Sequence, residues 1–243
     1  MTVPLLAETI AAHGGLERWE RVNHLRLRMR IGGTILLSRL ASPRTRAFDV
    51  DIETRRVRAT IRPFPRPGLT GVFEDGSVRI ETDSKAIMAE RRIGHGPTGA
   101  PERSLIWDDL DVLYFFGYAI WNYSVTPYLF LWQGFDSREG AIWREPNGVR
   151  WRRLHVTYPT SIPTHSRQQT LYLDERGWLQ RLDYTAEIFG QFARAAHYCS
   201  AHQVFDGLVF PTHRVVWWRR PSGRPLRVMT VMEGWVDDVT TVS

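Results

Sequence analysis

Residues 24–31 read HLRLRMRI, and the alternation is strict: Leu25, Leu27, Met29 and Ile31 are apolar, while His24, Arg26, Arg28 and Arg30 are not. A period of two puts successive side chains on opposite faces of an extended chain, so this segment is a strand with one dry face and one charged face. The pattern returns in RRVRATIR (55–62), where Val57, Ala59 and Ile61 oppose Arg56, Arg58, Thr60 and Arg62. Further runs repeat it between turn signals: GLTGVF and SVRIETD about Asp75-Gly76, GAIWRE and VRWRRLHVTYP about Asn147-Gly148, TLYLDERGWLQRLDYTAE about Asp174–Gly177, FARAAHYCSAHQVF and LVFPTHRVVWWRR about Asp206-Gly207, and finally PLRVMTVMEGWVDDV. Strands are also read at TILLSRL (34–40) and around Thr45–Ile52, and a loop at 84–101, which holds GHGPTGAP. The expected fold is mainly antiparallel β (α+β): about ten strands in a curled sheet or incomplete barrel, each beside its sequence neighbour. At the front, Pro4–His13 is amphipathic at helical spacing and stops at Gly14-Gly15, with a second short helical turn from Leu16.

Against this background residues 111–135, DVLYFFGYAIWNYSVTPYLFLWQGF, stand apart: ten of the 25 are aromatic, and no charge falls between Val112 and Phe135. A bilayer span needs about 20 mostly apolar residues. This run has the length, but its tyrosines are spread throughout rather than gathered at two interfaces, and Pro127 breaks it. Two helices are expected instead, about 104–122 and 126–133, within a helical insertion of about 102–134. Asp108, Asp109 and Asp111 then fall in the first turn, where acids favour the helix dipole, so they read as capping residues rather than metal ligands. Tyr114, Tyr118 and Trp121 share a face at i, i+4, i+7. Rings with one polar handle suit a site for a mostly apolar ligand. Tyr114, Tyr118, Trp121 and Tyr123 are therefore candidate ligand-binding residues, with Trp143 and Trp151 on facing strands as further candidates.

A second reading places chemistry in the same cavity. Small alanines beside His197 leave room above the sheet, so His197 could act as general base, Asp183 could orient it, and Tyr184 could share the proton transfer. The alternative for His197 is a hydrogen-bonded structural histidine. Cys199 is the only cysteine, which rules out an intrachain disulfide and a cysteine-rich metal site, and no metal or cofactor is expected. No nucleotide-binding or hydrolase motif is present.

Composition narrows the partners. The net charge is +6 and the cations are nearly all arginine, Lys85 being the lone lysine. Acids are interleaved with the arginines and no nucleic-acid-binding motif accompanies them, so nucleic acid is not an expected partner. An arginine-rich surface that docks an anionic lipid or protein is a weaker alternative. The start, MTVPLLAETIAAHGG, shows no basic region followed by an apolar one, so a cytoplasmic location is the default expectation. No linker, repeat or change of composition divides residues 1–243, which read as a single domain.

The stretch Ala12-His13-Gly14-Gly15-Leu16-Glu17-Arg18-Trp19, followed by arginine-striped strands, a central helical insertion and a long antiparallel return, resembles the LolA-like (bacterial lipoprotein-carrier) superfamily, in particular its soluble relatives. The resemblance covers nearly the whole chain. It implies an incomplete β-barrel whose concave face is closed by helices over a hydrophobic cavity that holds acyl chains. Two functions are thus expected: binding of a lipid-, polyketide- or terpenoid-like molecule, or cofactor-independent catalysis (a cyclase, isomerase or hydrolase) on an apolar substrate in the same cavity.

Overall fold

A computed structural model describes residues 3–39, 46–94 and 106–243. The alternating segment is strand β1 (His24–Gly33), with Leu25, Leu27 and Met29 buried and the arginines between them exposed. Its neighbour β2 (Ala47–Glu53) reads AFDVDIE, and the register sets Arg28 opposite Asp49 and Arg26 opposite Asp51. Arg26 pairs with Asp51, Arg28 with Asp49, and Arg30 with Asp237 of the last strand. Each exposed pair adds little stability, but together they neutralise the stripe. It is therefore no bare cationic surface.

The chain continues through β3 (Arg58–Arg62), β4 (Leu69–Glu74), β5 (Ser77–Thr82) and β6 (Ile87–Arg92), then through helix α3 (Asp109–Val125). It resumes with β7 (Asp136–Arg144), β8 (Arg150–Thr157), β9 (Gln168–Leu173), β10 (Leu179–Thr185), β11 (Arg194–Phe205), β12 (Leu208–Arg219), the two-residue β13 (Pro225–Leu226) and β14 (Met232–Val242). All belong to one antiparallel sheet of 14 strands, ordered β6-β5-β4-β3-β2-β1-β14-β12-β11-β10-β9-β8-β7, with β13 beside β12. The last strand therefore inserts between β12 and β1 and joins two meanders. β6 and β7 are left as free edges at opposite ends of one curled, open sheet.

Three expectations are corrected. The strands number more than about ten. β6 lies within the stretch read as a loop: its residues are largely exposed on both faces, Ile87 and Met88 included, so pairing with β5 leaves no alternation in the sequence. TILLSRL forms a 3-10 turn at Ile35–Arg39 rather than a strand, because adjacent Ile35 and Leu36 are both buried, and a strand would send one of them outward. The GHGPTGAP stretch lies mostly outside the described residues.

Helix α3 (Asp109–Val125) lies on the route from one free edge to the other. Asp108 caps it: its carboxylate accepts the Asp111 N–H at 3.0 Å, while Asp111 accepts the Asp108 N–H at 3.1 Å, a reciprocal capping box. Arg91 of β6 ion-pairs with both carboxylates, tying the helix start to the edge strand. The helix starts later than expected and ends three residues later, at Val125, since only the residue directly before Pro127 is pushed out of helical geometry, and Thr126 is extended (ψ 134°). A 3-10 turn, Tyr128–Leu131, follows. No helix among the described residues is long and apolar enough to cross a membrane.

At the front, α1 (Pro4–Ala12) and α2 (Leu16–Trp19) flank the His13-Gly14-Gly15 joint. Gly14 has φ +118°, and a Cβ there would sit 2.4 Å from the Gly207 carbonyl oxygen, so only glycine fits. The His13 carbonyl accepts from the Tyr128 hydroxyl (2.7 Å) and the Val209 N–H (3.0 Å), and Trp19 stacks on Tyr128 with ring centres 4.2 Å apart. The octapeptide thus locks α1, the start of β12 and the turn after α3 together.

Candidate functional site beneath helix α3

The two flanks of α3 meet the sheet differently. On one, Trp121 donates from Nε1 to the carbonyls of Glu53 (3.0 Å) and Arg56 (2.8 Å) in the β2–β3 turn, and the Tyr114 hydroxyl donates to the Gly94 carbonyl (3.3 Å). A Cβ on Gly117 would stand 2.3 Å from the Phe73 Cβ, so helix and β4 touch backbone to side chain with no gap. This flank is packed core.

On the other flank Phe115, Phe116, Ala119, Ile120 and Tyr123, spaced at one and four residues along a single stripe, face a cavity of about 90 Å³. Across it stand Met29 and Ile31 of β1, Tyr184 of β10, His197 of β11, Arg214 and Val216 of β12, and Met232 of β14. The cavity therefore sits over the seam where β14 joins the two meanders.

Its polar groups form a connected set. His165, in the loop before β9, lies between two tyrosines of α3: Nδ1 is 2.9 Å from the Tyr118 hydroxyl and Nε2 is 2.6 Å from the Tyr123 hydroxyl. Tyr123 meets the Tyr184 hydroxyl at 2.9 Å, and the His165 ring stacks on Tyr184 at 4.2 Å. Burial holds His165 neutral by lowering its pKa to about 3, and pushes the Tyr118, Tyr123 and Tyr184 hydroxyls above the usual phenol range. His197 is buried against the Tyr123 ring (4.7 Å, edge to face), and its pKa is depressed well below the ordinary value, first by burial and then by the Arg214 charge. Arg214 sits over the Tyr123 ring at 5.1 Å and contacts Cys199 Sγ at 3.2 Å and the Tyr123 carbonyl at 3.3 Å. Burial raises the Cys199 pKa, keeping the thiol protonated.

The residues expected from the sequence divide accordingly. Tyr123, Tyr184 and His197 line the cavity, and Tyr118 reaches its histidine. Tyr114 and Trp121 serve the packed flank. Asp183, expected to orient His197, lies on the opposite face: β10 sets Leu182 opposite His197 and Asp183 opposite Ala196, and alternation carries the carboxylate through the sheet. There Asp183 grips Arg181 through both oxygens (2.7 and 2.9 Å). Trp143 and Trp151 belong to the same far-side cluster: both meet the Tyr172 ring edge to face, and Trp143 also lies against Arg181. They stand apart from the space beneath α3.

Sequence reasoning missed His165, Phe115 and Arg214. His165 carries no signal beyond being a histidine between two prolines and a strand. Arg214 does carry one. In LVFPTHRVVWWRR it shares parity with Phe210, Val216 and Trp218, which marks an arginine on a dry strand face. Among the described residues no group of three or more His, Cys, Asp or Glu side chains is arranged to hold a metal.

Fold and site together define a class: an open, curled antiparallel sheet whose concave face is crossed by a helix over a small apolar cavity. The fold is LolA-like. It resembles that of a LolA superfamily protein from Nitrosomonas europaea (TM-score 0.55, 9% identity, covering 100% of this chain and 94% of that one). It also resembles that of a DUF1329 family protein from Desulfovibrio piger (TM-score 0.52, 14% identity, covering 99% and 94%). No family model matches the sequence, and no curated protein matches it.

Proposed function

We propose that this protein binds a hydrophobic small molecule, lipid-, polyketide- or terpenoid-like, between α3 and the sheet. The observation that carries the reading is the apolar stripe Phe115, Phe116, Ala119 and Ile120 facing open space, while the other flank of the same helix is packed without a gap. The LolA-like fold supports it. A volume of about 90 Å³ is well below the roughly 300–1,000 Å³ of sites for drug-sized ligands. Binding therefore widens the cavity. Met29 and Met232 in its walls are unbranched and adaptable, and are the side chains best able to move. Native mass spectrometry followed by denaturing extraction tests the idea: an apolar molecule should accompany the wild-type protein and be absent from Ala119→Trp, whose indole fills the space. An Ala119→Trp protein that still carries the molecule would sink the assignment.

One observation favours a second reading, catalysis without a cofactor: His197, His165, Tyr123 and Tyr184 converge on the same water-poor space. A general base works best with a pKa near the working pH, and His197 is held far below it, so binding is the stronger reading. If the protein is an enzyme, His197→Ala should abolish turnover; unchanged turnover would rule out a base at this position.

A further inference from the structure

We infer that the molecule held beneath α3 is an amphipath with a single anionic head group, a carboxylate, received by Arg214 and His197. The inference rests on the binding reading above and names the chemistry of its ligand.

Arg214 enters the cavity from the apolar face of β12. Its neighbours are the Tyr123 carbonyl, Cys199 Sγ, the Tyr123 ring and His197 Nε2 at 3.5 Å, and no carboxylate pairs with it among the described residues. The Tyr123 carbonyl belongs to the last turn of α3, where the helix dipole supplies about half a negative charge. A full guanidinium charge is thus only half compensated.

His197 points the same way. A guanidinium donates and never accepts, so the Nε2 facing it is the acceptor, and the ring proton of neutral His197 resides on Nδ1. That nitrogen is buried and has no hydrogen-bond partner among the described residues. The nearby hydroxyls are already engaged: Tyr123 and Tyr184 bond each other, and Tyr123 also bonds His165. The site therefore offers one buried donor without a partner, His197 Nδ1, beside a guanidinium charge that no carboxylate among the described residues balances; Glu233, which also lines the cavity, accepts from His213 instead.

A carboxylate supplies two acceptor oxygens and one negative charge, which matches this arrangement. A cationic head would meet Arg214 directly, and a phosphate dianion would bring a second charge with nothing to balance it. The apolar tail would run past Val216 towards Trp218, four residues and about 13 Å along β12 at the rise of a strand.

The test compares decanoate, 1-decanol and decyltrimethylammonium by titration calorimetry at pH 7.5, on wild type, Arg214→Gln and Arg214→Lys. Decanoate should bind wild type at least about tenfold more tightly than 1-decanol, with the cation weakest. Arg214→Gln should shrink the acid-to-alcohol ratio to within about twofold, and Arg214→Lys should restore part of it. Because the ratio is read within one protein, a general loss of folding does not mimic the result. Equal affinity of wild type for acid and alcohol would overturn the anionic head and leave the cavity standing. Binding of neither would overturn both.

Discussion

Arg181 and Arg214 occupy opposite faces of one sheet, two strands apart, and both lie against aromatic rings. Their surroundings differ in burial and in what meets the charge. Arg181 is fully buried, gripped by both oxygens of Asp183, bonded to Glu145 at 3.1 Å and to the Gly223 carbonyl, and boxed by Trp143, Tyr172 and Tyr198. Arg214 has rings, a thiol and one helix-end carbonyl. The same side chain is structural where carboxylates meet its charge, and becomes a recognition group where they do not. The aromatic density that draws attention in the sequence is common to both places, so rings alone do not mark a site. Unspent donors do.

Four measurements probe this contrast. The largest effect belongs to Arg181→Met: it takes the main cationic partner from buried Asp183 and Glu145, leaving Asp183 with Arg219 at 3.4 Å and Glu145 with neutral donors only, and should remove about 3–5 kcal/mol from the unfolding free energy in urea. A loss below about 1 kcal/mol would mean that the box is not held by its ion pairs. The next is acidity. His165 has a folded-state pKa of about 3 against an ordinary 6.5, so the unfolded chain binds the proton more readily. The stability of keeping it neutral is present above pH 6.5 and is lost as pH falls towards 3, at about 1.4 kcal/mol per unit, or about 2 kcal/mol by pH 5. Urea midpoints measured from pH 7 to 5 should fall in wild type and fall less steeply in His165→Gln; parallel slopes would contradict the buried, neutral Tyr118–His165–Tyr123 bridge.

Third, the flanks of α3 should separate under substitution. Gly117→Ala should destabilise by about 1–2 kcal/mol, despite alanine's better helix propensity, because the new methyl meets Phe73. Ala119→Leu should stay within about 1 kcal/mol because it grows into the cavity. Thermal or urea melts that rank the two in the opposite order would exchange the packed and open sides. Smallest is Arg214→Met, expected to change stability by no more than about 1 kcal/mol; a loss comparable to that of Arg181→Met would make Arg214 structural and erase the contrast.

How far the sequence reaches is clear from particular segments. HLRLRMRI and RRVRATIR announce strands because each has one dry face. IMAERR does not, because an edge strand exposed on both sides needs only backbone pairing. TILLSRL looks like a strand by composition, yet the burial of adjacent Ile35 and Leu36 imposes a turn. At the site, Tyr123, Tyr184 and His197 were legible as polar groups in an aromatic or alanine-rich setting. Asp183 was misplaced as the partner of His197 because the cross-strand register, hidden in the sequence, sets Ala196 opposite it.

Taken alone, the amino-acid order settled what is local: strand faces by their alternation, turns by Gly, Asn and Asp, the capping role of Asp108 and Asp111, and a break in the aromatic run at Pro127, though not the bounds of α3. The folded chain decided everything that depends on long-range pairing. Insertion of β14 between β12 and β1 made one open sheet of two meanders, and α3 packed on β3 to β6 with one flank turned across the cavity towards the seam. That placement divided the aromatic helix into a packed flank and an open one, brought His165 between two tyrosines from 42 and 47 residues away, and set one arginine beside carboxylates and the other beside none. Those outcomes follow from which strands become neighbours, a property of the whole chain's packing that no short window of sequence contains.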